Sequence, residues 1–246
     1  MSDIRSAVKC LFNTFGLELR GYNPGTSPTL QLVSAMQHFG VDQVLDVGAN
    51  EGQFGREIRA VGYAGGIVSF EPLSSASEIL RRVAGKDANW TIHARGALGD
   101  QDGEIAINVA GNSVSSSILP MTAMHTEAAP KSQYCGQESV PIRRLDSVAG
   151  PYLNNSKAPF LKIDTQGFEW KVLDGAGQTL PKIRGVLVEL SLVPLYEGQH
   201  LWQDMIARLE ENGFTLWALQ QGFIDPRGSR TLQLDGIFFR SEQKSG

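Results

Sequence analysis

The sequence has little cysteine, no long apolar run and no large excess of either charge. Each shortage removes a class of protein. Its two cysteines, Cys10 and Cys135, stand far apart without ligand-like spacing. That excludes a disulfide framework and a cysteine zinc site, and it suits a reducing compartment. No segment approaches the roughly 20 apolar residues of a membrane span, and no apolar leader with a cleavage signature opens the chain. A soluble, cytoplasmic protein is therefore expected. Basic residues number 22 against 26 acidic ones, a net charge of −4. A dedicated nucleic-acid surface would show a basic face instead. The pairs Arg81-Arg82 and Arg143-Arg144 read as solvated or ion-paired surface. The four histidines, His38, His93, His125 and His200, have no H-x-x-H or H-E-x-x-H spacing, so no metal site is assigned. Hydrophobic residues at 41% of 246 positions suffice for one large α/β domain.

The most informative stretch is Val44-Leu45-Asp46-Val47-Gly48-Ala49-Asn50-Glu51-Gly52. An apolar strand ends in an acid, a glycine-bearing turn follows, and helical spacing starts with Phe54, Ile58 and Val61. A second apolar strand, Ile67 to Phe70, also ends in an acid, Glu71, 25 positions after Asp46. That separation is about one strand-helix-strand unit, and a carboxylate there is placed to hold ribose hydroxyls. The turn lacks the third glycine of G-x-G-x-x-G, and Glu51 puts negative charge where a pyrophosphate would lie. An acid-flanked turn suits a cationic, phosphate-free nucleoside, and S-adenosylmethionine fits that description.

Elsewhere, residues 1–40 read as a helical segment broken at 21–28, and residues 41–246 as the cofactor domain. Ser75 and Glu78 have capping-box spacing at the start of a helix that Gly85 ends. One strand is expected over 90–98 and a short one over 104–109. From 110 to 138 periodicity is lost, which marks either a disordered excursion or a loop closing over substrate. Strands follow at 160–164, 186–190, 214–219 and 232–239, with a helix over 200–212. The alternation predicts a mostly parallel sheet with helices on both faces and an antiparallel C-terminal edge.

Four acids close such strands: Asp46, Glu71, Asp164 and Glu189. Burying them is costly unless they are paired or used on a ligand. Two roles are open for Asp164: a general base for an acceptor hydroxyl, or a ligand to a divalent cation that acidifies it. Glu189 on the next strand completes either arrangement. An N-cap is the structural alternative for Asp164. Lys162 points away from Ile163, where it could pair with one of the acids. His125 and His200 are candidates to reach an acceptor hydroxyl. His38 and His93 read as structural.

With these acids placed, the chain resembles FkbM-type methyltransferases. The resemblance rests on the 44–54 stretch, Phe70-Glu71-Pro72, Gly96-Ala97-Leu98-Gly99-Asp100 and Leu161-Lys162-Ile163-Asp164-Thr165-Gln166-Gly167-Phe168-Glu169. Val172 to Ala176, Val188-Glu189-Leu190-Ser191 and Leu234 to Phe239 extend it. It implies a Rossmann-like class I methyltransferase fold with a seven-stranded sheet, and O-methylation of a hydroxyl. Carried over, Asp46, Gly48, Asn50 and Gly52 would lie along the methionine part of the cofactor, and Ala49 and Phe54 would also contact the cofactor. Glu71 would take the ribose, and Pro72, Leu73, Ala97 and Leu98 the adenine. Asp164 would face the reacting centre. The acceptor it implies is a sugar hydroxyl of a glycolipid, polysaccharide or other glycoconjugate, or a macrolide-type natural product. A cofactor-binding protein without catalysis is a further alternative. A nucleic-acid methyltransferase is opposed by the acidic balance and by the lack of an Asn/Asp-Pro-Pro-aromatic motif. The acceptor pocket is expected from residues 110–138 and from Tyr196 to Trp202.

Overall fold

The turn formers at 21–28 separate helix α1 (Ser2–Thr14) from α2 (Pro28–His38). Ser27 caps α2 by accepting the Leu30 N–H at 3.4 Å, and Pro28 fills the first turn, where no N–H is needed. The structure, a computed structural model, describes residues 2–240; the expected domain's residues 241–246 lie outside them. Strands β1 (Gln43–Val47), β2 (Gly66–Phe70) and β3 (Trp90–Ile92) alternate with helices α3 (Gln53–Ala60) and α4 (Ser74–Ala84). Then come β4 (Ala97–Leu98), β5 (Gly103–Ala110), α5 (Ala123–Ala128), β6 (Tyr134–Arg143), α6 (Leu145–Val148) and α7 (Gly150–Leu153). The last third holds β7 (Pro159–Ile163), α8 (Glu169–Asp174), β8 (Gly185–Ser191), α9 (Trp202–Glu211) and β9 (Phe214–Gln221). A small hairpin of β10 (Ile224–Asp225) and β11 (Arg230–Thr231) leads into β12 (Gln233–Arg240).

Seven strands form the main sheet in the order β3-β2-β1-β7-β8-β12-β9. The first five are parallel, and β12 runs antiparallel between β8 and β9, as the alternation predicts. Strand order reverses between β1 and β7, and a crevice opens at such a switch point, outside the carboxyl ends of the strands. One face buries Leu32, Val33 and Met36 of α2 with Ile58 and Leu80 against Val44, Ile67 and Phe160. The other buries Leu45, Val68, Leu161 and Val186 under Leu145, Val172, Leu173, Met205 and Leu209. Alternate side chains of each strand feed the two layers. No helix among the described residues is long and apolar enough to cross a membrane.

Three local expectations are corrected. The single strand over 90–98 is two: β3 stays in the main sheet, while β4 joins β6 and β5 in a separate three-stranded sheet. Arg95 makes the exit, bonding Pro72 O at 3.1 Å and Glu138 at 3.0 Å. The capping box does not form, because the N-cap of α4 is Leu73, two residues before Ser75. Ser74 instead gives both its N–H and its hydroxyl to Glu138, at 3.1 and 2.9 Å. Residues 110–138 are ordered: 3-10 turns at Ser113–Ser115 and Pro130–Ser132 flank α5, and β6 begins at Tyr134. Ala128 packs there with Leu195, Tyr196 and Leu232, which gives the segment a core of its own.

Candidate active site

The glycine turn after β1 is shaped by what lies beneath it. Gly48 has φ +75°, and a Cβ at this position would overlap the Asp164 backbone carbonyl. Only glycine lets β1 and β7 close at this point. Gly48 and Ala49 donate their N–H groups to Phe70 O, both at 3.1 Å. Asn50, at φ +47°, turns its N–H onto Glu71 Oε2 at 2.7 Å. Glu71 Oε1 accepts the Leu73 N–H at 2.8 Å. The strand-end acid of β2 thus clamps the turn of β1 while its second lone pairs stay free. Glu71 is only 5% exposed, and burial pushes its pKa up to about 7 against the two N–H donors and Lys162.

A cavity of about 370 Å³ opens over these strand ends, within the size range of small-molecule sites. Gly48, Ala49, Asn50 and Phe54 line it, as do Glu71, Pro72, Leu73, Ala97, Leu98 and Asp164. Pro72, Leu73, Ala97 and Leu98 meet Ile107, Ile118 and Phe168 to form an apolar end beside β2. The opposite end reaches β12 and β9 through Asp235, Gln220 and Gln221, and α2 through Pro28, Thr29 and Leu32. Ser113, Val114 and Ser116 border the cavity from the 110–138 segment, and Ser113 bonds Asn50 Oδ1 at 3.2 Å.

Five expected site residues, Asp46, Gly52, Glu189, His200 and His125, lie off the cavity wall. Asp46 is fully buried beneath the turn, where it accepts the Ser69 hydroxyl at 3.2 Å. Gly52, at φ +84°, caps the start of α3, and a Cβ there would meet Leu80 and Trp90. Glu189 stands behind Asp164, both joined to the Gln166 amide. His200 precedes α9 instead of opening it; it stacks on Trp170 at 3.8 Å and lies 3.6 Å from Asp204. The expected pocket wall from Tyr196 to Trp202 is likewise absent from the cavity lining, its place taken by β9, β12 and α2. Of the other histidines, His93 bonds the Tyr152 hydroxyl at 2.9 Å. His125, the other candidate for the acceptor hydroxyl, is buried against Tyr196 and Phe223 off the cavity, and burial holds its pKa down at about 4.

Lys162 pairs with the strand-end acids, as its place opposite Ile163 allows, but its part goes further: it is the cation at the site's centre. Its Nζ lies 3.2 Å from Asp46 and 3.6 Å from Asp164, and it donates to Gly48 O at 2.9 Å. Burial works against the ammonium, but the Asp46 and Asp164 carboxylates outweigh it and hold the pKa above the usual lysine range. Apolar alternation along β7 already put Lys162 on the Asp46 face, which was the available signal. Asp235 was passed over. It pairs in register with Glu189 and with Gln220, so polar side chains from β8, β12 and β9 form one row beside Asp164. Burial, then the Asp164 charge, lifts Asp235 to about 6 and Glu189 well above the carboxylate range. Among the described residues, no three His, Cys, Asp or Glu are grouped to hold a metal ion.

The methyltransferase FkbM domain matches residues 46–216, more than half of the chain. The chain belongs to this family. The turn after β1, the Glu71 clamp and the Asp164 turn all lie inside the matched region. Among curated proteins none matches the chain significantly. Among solved structures it is similar to an FkbM methyltransferase from Methylobacillus flagellatus KT, with 14% identity and a TM-score of 0.47. That match covers 80% of this chain and 43% of the other, so the chain spans less than half of that protein. It is also similar to magnesium protoporphyrin IX methyltransferase from Synechocystis PCC 6803 with bound SAM, at 11% identity, 96% of each chain and TM-score 0.47. An rRNA methylase from Streptococcus thermophilus matches at 10% identity, 87% of this chain, 97% of the other and TM-score 0.46. These likenesses bring no residue roles to this chain.

Proposed function

We propose that this protein transfers the methyl group of S-adenosylmethionine to a hydroxyl, the acceptor being a sugar of a glycolipid, polysaccharide or other glycoconjugate. The observation that carries the reading is Glu71. Its carboxylate sits at the end of β2, at the cavity wall, with each oxygen fixed by one backbone N–H. Two hydroxyls of a ribose fit the acceptor positions left over. The apolar end beside Leu73, Leu98 and Phe168 suits a flat base, and Lys162, the basic side chain at the Gly48 turn, is already engaged by Asp46, Asp164 and the Gly48 carbonyl.

Bound there, the cofactor supplies an electrophilic methyl group on sulfonium. The rest is alignment and one proton. Asp164 is 39% exposed at its side chain and borders the cavity next to the turn. It would take the proton that the acceptor hydroxyl must lose on accepting the methyl group. Lys162 holds the Gly48 carbonyl and faces Asp164, so turn and base keep a fixed spacing. Gln53, Gln220, Gln221 and Thr29 give the far end amide and hydroxyl groups matched to a polyhydroxylated acceptor.

The test is release of S-adenosylhomocysteine in the presence of a panel of methyl glycosides. Turnover that Asp164→Asn abolishes while cofactor binding persists supports the reading; release with RNA and no glycoside, or with no acceptor at all, overturns it.

A further inference from the structure

Gln166 holds φ at +55° without being glycine, a left-handed conformation that needs a reason. The side chain supplies one. Its Nε2 donates to Asp164 Oδ1 at 2.7 Å and to Glu189 Oε2 at 3.1 Å. Its Oε1 accepts the Tyr196 hydroxyl at 2.8 Å. An amide has two N–H donors, and both are used on carboxylates. Tyr196 decides which way the amide faces, since the flipped form would set an oxygen against two acids. Tyr196 is fully buried, and the next residue after Gln166, Gly167, packs so close that a Cβ would meet its ring at 2.9 Å. Ser117 Oγ donates to the Gln166 carbonyl at 2.6 Å, which ties the same residue to the segment bordering the cavity.

We propose that Gln166 is the positioning residue of this site: its amide locks Asp164 to Glu189 and so aims the Asp164 carboxylate at the acceptor hydroxyl. The assignment of what Asp164 does rests on the methyl-transfer reading; the clamp itself does not. The charged groups facing this pair are Glu169, Asp235 and Lys162, and Lys162 alone is cationic. Two acids in such company stay side by side because an N–H is given to each. Burial, Asp164 and Glu169 already raise Glu189, and loss of a donor raises it further.

Gln166→Met keeps the side-chain length and removes both donors; Tyr196→Phe keeps the amide and removes only the group that orients it. The first readout is the carboxyl carbon-13 titration of Glu189 in the cofactor-free protein, assigned with Glu189→Gln. Its midpoint is expected to rise by about half a pH unit or more in Gln166→Met and by less in Tyr196→Phe. Unmoved midpoints in both variants overturn the clamp. The second readout is S-adenosylhomocysteine release with a methyl glycoside. Gln166→Met is expected to lower kcat by about tenfold or more, with cofactor affinity kept and the acid limb of the kcat profile moved to higher pH. A loss confined to KM, with the wild-type acid limb, overturns the positioning role. If the wild-type protein methylates no glycoside, the functional reading fails and the carbon-13 titration still decides the clamp.

Discussion

The Lys162 ammonium lies 3.2 Å from the Asp46 carboxylate on the adjacent strand, and both side chains are out of solvent. A buried pair of this kind contributes little over an apolar pair, but breaking it leaves one charge stranded. Lys162→Met is therefore expected to destabilise the protein by about 3–5 kcal/mol. The double variant Lys162→Met, Asp46→Asn should recover part of that loss. Urea unfolding of the four proteins in the cycle measures both.

Glu71→Gln replaces one carboxylate oxygen with an N–H₂ group facing a backbone N–H, either that of Asn50 or that of Leu73. The turn loses a charged acceptor worth about 2 kcal/mol, and the ribose loses another. Calorimetry should record S-adenosylhomocysteine binding weakened by about 30-fold or more. Affinity equal to wild type would remove Glu71 from the site.

Raised carboxylates also set a pH dependence. Glu71 and Glu169 titrate near 7 and Asp235 near 6 in the folded protein, mainly because they are buried. The folded state thus holds protons that the unfolded chain has released above about 4.5. These three groups stabilise the fold at acidic pH, and that stability is lost as pH rises through 6 and 7. Ribose hydroxyls donating to an ionised Glu71 would lower its pKa, so cofactor affinity should increase over the same range. Melting temperatures against pH, with and without S-adenosylhomocysteine, follow both trends.

Gly48 and Gly52 differ in what a side chain would meet. Both are left-handed, but a Cβ on Gly48 runs into the Asp164 backbone, while one on Gly52 meets the movable Leu80 Cδ1 at 3.0 Å. Gly48→Ala should abolish cofactor binding. Gly52→Ala should cost about 1–3 kcal/mol of stability through strain and keep binding. Equal loss of binding in both variants would put Gly52 back in the site.

His200 stacks on Trp170 away from the cavity. His200→Ala is expected to keep kcat within about twofold, where loss of a working general base would cost about 100-fold or more. The comparison uses the acceptor found with the glycoside panel.

The strand-end acids were legible because an acid closing an apolar run breaks a simple rule of burial. Asp46, Glu71 and Asp164 all sit where that rule placed them, at the carboxyl ends of adjacent strands. Strand β6 was not legible: it leaves half of its residues exposed and carries Gly136 and Pro141, so its alternation is faint. Its pairing with β5 across a long connection left no local mark. The contribution of α2 to the cavity, through Thr29 and Leu32, depends on tertiary packing that a helical period alone does not specify. Gln166 escaped for another reason. A positive φ at a non-glycine residue is imposed by neighbours, here Tyr196, which lies 30 positions away.

The position of β1 between β2 and β7 also fixes when this site comes into being. Gln43 pairs with Gly66 on one side and with Pro159 on the other. During synthesis the first partner is available early, whereas the second emerges with Pro159, 116 residues after Gln43. Until then the Gly48 turn has neither the Asp164 carbonyl beneath it nor the Lys162 ammonium holding it. Contacts this distant in sequence form slowly. The cavity is therefore a late product of folding, and a nascent chain arrested before β7 carries the cofactor turn as sequence without its shape.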